Sequence, residues 1–247
     1  MSVTNTNTYT VTRDQIITYA LRKIGALELG VTADATTIAA YTDPLNMMIK
    51  SWITKGIKLW TIQELTLPFT ASKTSYIIGN AGSSPTPDLV ASKPMKLMQA
   101  WLRNITVTPQ NDIPLEVISQ HNYNEFGSKF STSTPNSVYM NVGRDQSVVS
   151  VYTTPDTIAS STYQLHLLTQ RQLFDMTSST DNFDFPVEWL YALGWNFAAE
   201  IATDFGVDAN RIQYIELKAA KFLEEVESFD SEYNSIFFTP DMRSRQK

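Results

Sequence analysis

Glu64-Leu65-Thr66-Leu67-Pro68-Phe69 sets Leu65, Leu67 and Phe69 in alternation with Glu64, Thr66 and Pro68. Successive residues of an extended chain point to opposite faces, so a period of 2 reads as a half-buried β-strand. Tyr76 to Ile78 repeats the pattern beyond Ser72, Lys73 and Thr74, and the pair predicts a β-hairpin. Upstream of Trp60 the apolar period is close to 3.6, so the chain changes structural class near residue 60.

On the N-terminal side, Thr12 and Gln15 stand at capping-box spacing. Ile16, Ile17, Ala20, Leu21 and Ile24 follow at helical intervals, and Gly25 is a natural stop. Thr32 is in place to cap a second helix whose apolar side carries Ile38, Tyr41, Leu45, Met48, Ile49, Trp52 and Ile53, ending near Gly56. Pro44 removes one ladder bond, so that helix is kinked or restarts there. Residues 1–11, rich in Ser, Thr and Asn, read as a mobile arm.

On the C-terminal side, Met95 to Arg103, Ile113 to Ile118, Val138 to Val142, Val148 to Thr153 and Tyr163 to Thr169 read as short strands. A short helix capped by Ser119 interrupts them. A helix returns at Pro186 through Val187, Leu190, Leu193, Phe197 and Ile201, and stops at Gly206. With Trp189, Tyr191 and Trp195 added it is apolar nearly all round, which predicts burial in the core or at a subunit interface. Asp208 caps a last amphipathic helix reaching Val226. The expected fold is α+β: a helical bundle made of N- and C-terminal helices (12–59 and 185–229), with an inserted antiparallel β region (60–184) and a C-terminal tail (230–247).

Composition narrows the chemistry. The 247 residues are 43% hydrophobic and 18% charged, with a net charge of −6 and no Cys, which excludes disulfides, thiolate metal sites and Cys nucleophiles. The acidic balance gives no basic surface for gripping phosphates. No apolar run approaches the length of a membrane span, which predicts a protein kept in a soluble compartment. No zinc, P-loop, dinucleotide or G-x-S-x-G motif occurs, so no metal and no cofactor is expected. His121 and His166 show no readable partner and read as surface or edge residues. Asp181 with Asp184, Glu188 with Glu200, and Glu224, Glu225 and Glu227 are the carboxylates in range of acid–base work. Asp184 and Glu188 also suit a helix N-terminus, and the Glu cluster suits a solvated helix face.

Taken in order, a series of phrases resembles the head-to-tail adaptor, or tail accessory factor, family of short-tailed, podovirus-type bacteriophages. They are Arg13-Asp14-Gln15-Ile16 with Ala20-Leu21-Arg22-Lys23-Ile24-Gly25, Leu45-Asn46-Met47-Met48 with Trp52, and Leu67-Pro68-Phe69-Thr70-Ala71 with Ser75-Tyr76-Ile77-Ile78-Gly79. Later come Pro114-Leu115-Glu116-Val117-Ile118, Pro135-Asn136-Ser137-Val138-Tyr139, Tyr163-Gln164-Leu165-His166-Leu167 and Phe185-Pro186-Val187-Glu188-Trp189. Pro44, a lengthened hairpin at Asn104 to Asp112 and the tail beyond Ser228 depart from the pattern. The resemblance implies a virion structural protein at the head–tail junction, assembled in the host cytoplasm and without enzymatic turnover. It implies self-association into a twelvefold ring that binds the portal protein, extends the DNA channel and forms a platform for downstream tail proteins. Genomic DNA would pass without sequence-specific binding, and an acidic channel wall would let it slide. No membrane partner is implied.

The tail carries Phe237 and Phe238 and then Arg243, Arg245 and Lys247, an apolar pair followed by cations. These form a candidate portal-docking segment, against the alternative of a disordered tail. Trp189, Tyr191 and Trp195 are candidates for subunit interface or core. A virion-associated, carboxylate-dependent peptidoglycan hydrolase and a simple interaction module remain the competing functional readings.

Overall fold

The computed structural model describes residues 9–53, 56, 59–176, 178, 181 and 183–230. Two helices open the chain, α1 (Arg13–Ile24) and α2 (Ala35–Ile53). A 3₁₀ turn at Leu59–Thr61 leads into the strands β1 (Ile62–Pro68), β2 (Ser75–Gly79), β3 (Leu89–Val90), β4 (Pro94–Asn104) and β5 (Asn111–Val117). After α3 (Gln120–Glu125) come β6 (Thr132–Ser133), β7 (Ser137–Val142), β8 (Gln146–Tyr152) and β9 (Thr154–Pro155). Then follow α4 (Thr157–Thr162), β10 (Tyr163–Arg171), α5 (Trp189–Ile201), a 3₁₀ turn at Ala202–Phe205 and α6 (Ala209–Phe229).

Local chemistry sets the helix ends. The Thr12 N–H donates to Gln15 Oε1 at 2.9 Å, one half of a capping box, and Gly25 closes α1 in the left-handed region at φ 82°. Asp34, and not Thr32, caps α2, its Oδ1 accepting the Thr37 N–H at 2.7 Å. Pro44 sits inside α2 without ending it. The side chains of Ser119 and Asp208 accept from the backbone N–H groups of Asn122 and Asn210 at the starts of α3 and α6.

The sheet overturns the expected fold class. Eight strands run in the order β1-β10-β4-β5-β7-β8-β2-β3, with β5/β7 and β2/β3 parallel and the other pairs antiparallel. The described residues therefore form a mixed, nearly closed, barrel-like sheet accompanied by six helices, not a helical bundle with an inserted antiparallel β region. The expected hairpin also fails: β1 pairs with β10, and β2 pairs with β8 and β3. Alternation reports which face a side chain occupies and carries no information about which strand lies on either edge.

Curling of the sheet follows from chain length. Six strand spacings separate β1 from β2, about 29 Å if the sheet were flat. The six residues between them span at most about 25 Å when extended. This connection is also tied into a corner, with Ser72 N–H donating to Pro155 O at 2.8 Å and Thr70 N–H donating to the Tyr76 hydroxyl at 3.1 Å. The sheet closes around its own core, in which Leu65, Leu67 and Phe69 of the β1 end meet Tyr76, Ile78, Val149, Leu102 and Leu165.

The helices bury a second core. Ile17, Leu21, Leu45, Ile49, Trp189, Leu193, Phe197 and Ile215 draw on α1, α2, α5 and α6. The described residues between 172 and 188 link the two cores. Arg171, at the end of β10, holds Asp184 through Nη1 to Oδ2 and Nη2 to Oδ1, the latter at 2.7 Å, and both side chains are largely buried. Asp184 Oδ2 also accepts the Phe174 N–H, and the Asp184 carbonyl accepts the Trp60 indole N–H at 3.0 Å. Nearby, Asn46 exchanges two 3.0 Å bonds with the backbone of Met176, fastening α2 to the same segment.

Replacing one partner of a largely buried bidentate pair strands the other, so Asp184→Ala is expected to cost about 2–3 kcal/mol. The measurement is the urea midpoint, and an unchanged midpoint would show that the crossing segment is held by other contacts. Asp88 gives a pH test. Partial burial raises its carboxyl pKa, but hydrogen bonds from the Lys73 ammonium and the Ile77 N–H, with the Lys73 charge, outweigh burial and hold it below the usual carboxylate range. A carboxyl with a depressed folded-state pKa stabilises above its unfolded value, near pH 4, and loses that contribution as pH falls through the folded value. Asp88→Asn is therefore expected to lower Tm at pH 7 and to narrow its gap from the parent as pH falls below about 4.

Candidate functional site

Gly194 lets α1 and α5 approach closely. A Cβ added there would lie 2.6 Å from Cδ1 of Tyr19, so the glycine makes room for the Tyr19 ring against α5. Burial pushes the Tyr19 hydroxyl pKa upward, and the neighbouring Tyr191 adds to the shift, so Tyr19 remains a neutral donor at any physiological pH.

From Tyr19 a connected aromatic surface runs across α5 to α6. Tyr191 lies 6.3 Å from Tyr19, 6.3 Å from Trp195 and 4.6 Å, edge to face, from Phe222. Trp195 lies 6.4 Å from Tyr214. Ammonium groups flank the rings: Lys23 Nζ is 4.8 Å from the Tyr19 ring and 5.0 Å from that of Trp195, and Lys218 Nζ is 5.7 Å from Tyr214. Tyr191 is 50% exposed, Tyr214 57% and Leu217 71%. Beside this face, a groove of about 650 Å³ is lined by Val11, Tyr19, Arg22, Val187 and Tyr191 among others.

The three aromatic candidates on α5 therefore have different fates. Trp189 is core, packed 4.8 Å from Trp60 and 5.8 Å from Trp52. Trp195 is buried directly beneath the surface, and Tyr191 opens onto it. Two residues along a helix turn the direction by about 200°, which separates Trp189 from Tyr191. Phe237, Phe238, Arg243, Arg245 and Lys247 lie outside the described residues.

Both histidines have partners, contrary to the sequence reading. His121 Nε2 sits 3.3 Å from Glu125 one helical turn away, an exposed contact whose i,i+4 spacing was visible in the sequence. His166 is 4% exposed, its Nδ1 is 2.6 Å from Glu64 Oε1 and its ring stacks on Trp101 at 5.6 Å. Register places Thr66, His166 and Trp101 side by side on β1, β10 and β4, a neighbourhood that no single stretch of sequence displays. The other ring nitrogen, Nε2, is enclosed, so transferring a proton there to a substrate requires movement of the cover.

Among the carboxylates, Asp184 pairs with Arg171, which corrects its expected electrostatic role at a helix N-terminus. Asp181 Oδ2 accepts the Ser178 N–H, and Glu225 meets Lys221 at 3.6 Å on α6. Glu188 and Glu200 are exposed. Among the described residues, no group of three or more His, Asp or Glu is arranged to hold a metal ion. No helix among them is long and apolar enough to cross a membrane.

Gly194→Ala is expected to displace the Tyr19 ring and to cost about 1–3 kcal/mol, by the usual cost of overpacking. Chemical denaturation with an unchanged m-value checks it, and full stability would mean that α1 slides without loss. Compared with known proteins, the chain matches no family model and no curated protein.

Proposed function

We propose that this protein is a structural assembly component of a phage head–tail junction, an adaptor that binds the portal ring and receives later tail proteins. The observation that carries the reading is the aromatic face on α5 and α6: Tyr191, Tyr214 and the neighbouring Leu217 are half or more exposed, and the two tyrosines pack on the rings of Phe222 and Trp195. Exposed aromatic side chains with flanking cations suit a protein partner, since interface cores are enriched in Tyr, Trp and Phe. The ordered series of phrases from Arg13 to Trp189 supports the choice of family.

In this reading the face contacts the neighbouring subunit of a twelvefold ring. Residues 231–247, with Phe237, Phe238, Arg243, Arg245 and Lys247, supply a portal contact, and DNA passes an acidic wall without base readout. The role requires no turnover.

Mixing the chain with the portal protein encoded beside it is expected to give a stoichiometric ring by sedimentation and negative-stain imaging. No association at near-physiological salt would overturn the adaptor reading. The double substitution Tyr191→Asp with Leu217→Asp is expected to lower self-association by at least about tenfold, the cost of desolvating charge in an interface core. Unchanged circular dichroism would show that the fold survives, and unchanged association would move the subunit contact elsewhere.

A further inference from the structure

A second, chemically different groove lies among the sheet's loops. It has a volume of about 510 Å³ and is walled by the Asn80 to Ser84 loop after β2, the β7–β8 turn and the residues flanking β4 and β10. Lys93, immediately before β4, is only 7% exposed. Its Nζ donates to the carbonyls of Gly143 and Arg144, at 2.9 and 2.6 Å. Neutral carbonyls take two of the three ammonium donors, and no described carboxylate lies within ion-pair distance. Buried ammonium groups are ordinarily paired with an anion.

The surroundings add donors. Arg144 lines the same groove with a side chain that is 95% exposed, and its contact with Asp145 is long, at 3.8 Å. Ser83, Ser84 and Asn80 contribute hydroxyl and amide groups. Among the described residues, the Gln172 amide has only the Met95 sulfur as acceptor, at 3.3 Å, a weak partner. The turn is held by the Gly143 N–H bond to Gln146 O at 2.9 Å, and a Cβ at 143 would sit 2.7 Å from that oxygen. The turn carbonyls that grip Lys93 are therefore fixed by local geometry.

We propose that this groove binds a tetrahedral oxyanion of the phosphate class, held by the Lys93 ammonium and the Arg144 guanidinium. Donors line it from the loop, the turn and the strand ends, a set that matches the four oxygens of a tetrahedral oxyanion better than the two of a carboxylate. Among the described residues no aromatic ring lines the groove, so a nucleobase would find nothing to stack on and the phosphate group itself is the recognised element. Asp145 is the one acidic side chain among the described lining residues and opposes binding, which gives a substitution of opposite sign.

Titration of the ¹⁵N-labelled full chain with sodium phosphate, against sodium chloride at matched ionic strength, reads the site through the amides of Ser83, Ser84 and Arg144. Saturable shifts are expected with phosphate and not with chloride, with a Kd on the order of 1 mM for so small a ligand. Arg144→Ala, which removes an exposed side chain, is expected to weaken binding about tenfold with an unchanged spectrum elsewhere, and Asp145→Asn to tighten it. Lys93→Met is expected to abolish binding. If that variant fails to fold, the Arg144 and Asp145 pair still decides the matter. Absence of saturation in the parent, or equal affinity across the Arg144 and Asp145 variants, would overturn the proposal and leave Lys93 as a tie for the turn. Equal binding of succinate would overturn the assignment to phosphate. A short DNA duplex that displaces phosphate would identify the source as a nucleic-acid backbone, and one that does not would identify it as free phosphate, both supporting the site.

Discussion

The Arg171–Asp184 pair joins two hydrophobic cores that share no buried cluster of their own. One carboxylate accepts both guanidinium nitrogens and the Phe174 N–H, while the carbonyl of the same residue accepts the Trp60 indole. The end of β10, the crossing segment and the 3₁₀ turn before β1 thus meet at one residue. A bidentate pair fixes direction as well as distance, so the helices are oriented on the sheet and not merely tethered to it. Trp60 then packs at a tilt against Phe185 and Trp189, carrying the constraint into the helical core.

Features encoded within a few residues were legible in the sequence. Thr12 with Gln15, Gly25, Ser119, Gly206 and Asp208 mark helix ends by capping chemistry that acts over three or four positions. The in-out assignment of Leu65, Leu67 and Phe69 was equally legible, because it needs only the period. Strand partnership was not. β1 and β2 look like a hairpin because they are adjacent and alternate, yet the chain turns a corner at residues 69–74 and each strand finds its neighbour about a hundred or seventy residues away. The parallel pairs β5/β7 and β2/β3 depend on crossovers that leave no local mark.

The same division governs the sites. The aromatic load of α5 was evident, but the fate of each ring depends on where α1 and α6 dock: Trp189 turns inward and Tyr191 outward on one helix. His166 reads as an edge residue in sequence and is enclosed in the structure because β1 and β4 bring Glu64 and Trp101 beside it. Lys93 carries no signal at all. Its burial is set by a turn 50 residues later, where Gly143 and Arg144 each present a carbonyl to it.

The two candidate surfaces differ in the kind of partner that each suits, and the fold explains how both stay ordered. A binding surface must hold its groups in place before a partner arrives, because ordering them on contact diminishes affinity. The aromatic face meets this requirement by sitting on paired helices, with Phe222 and Trp195 packed beneath Tyr191 and Tyr214. The polar groove meets it by backbone: Lys93 is gripped by turn carbonyls, and Gln172 follows directly on Arg171 of the inter-core pair. That adjacency puts a charge-sensitive groove one residue from the joint that orients the helices. An anion held by Lys93 and Arg144 would then sit beside the element that positions the aromatic face.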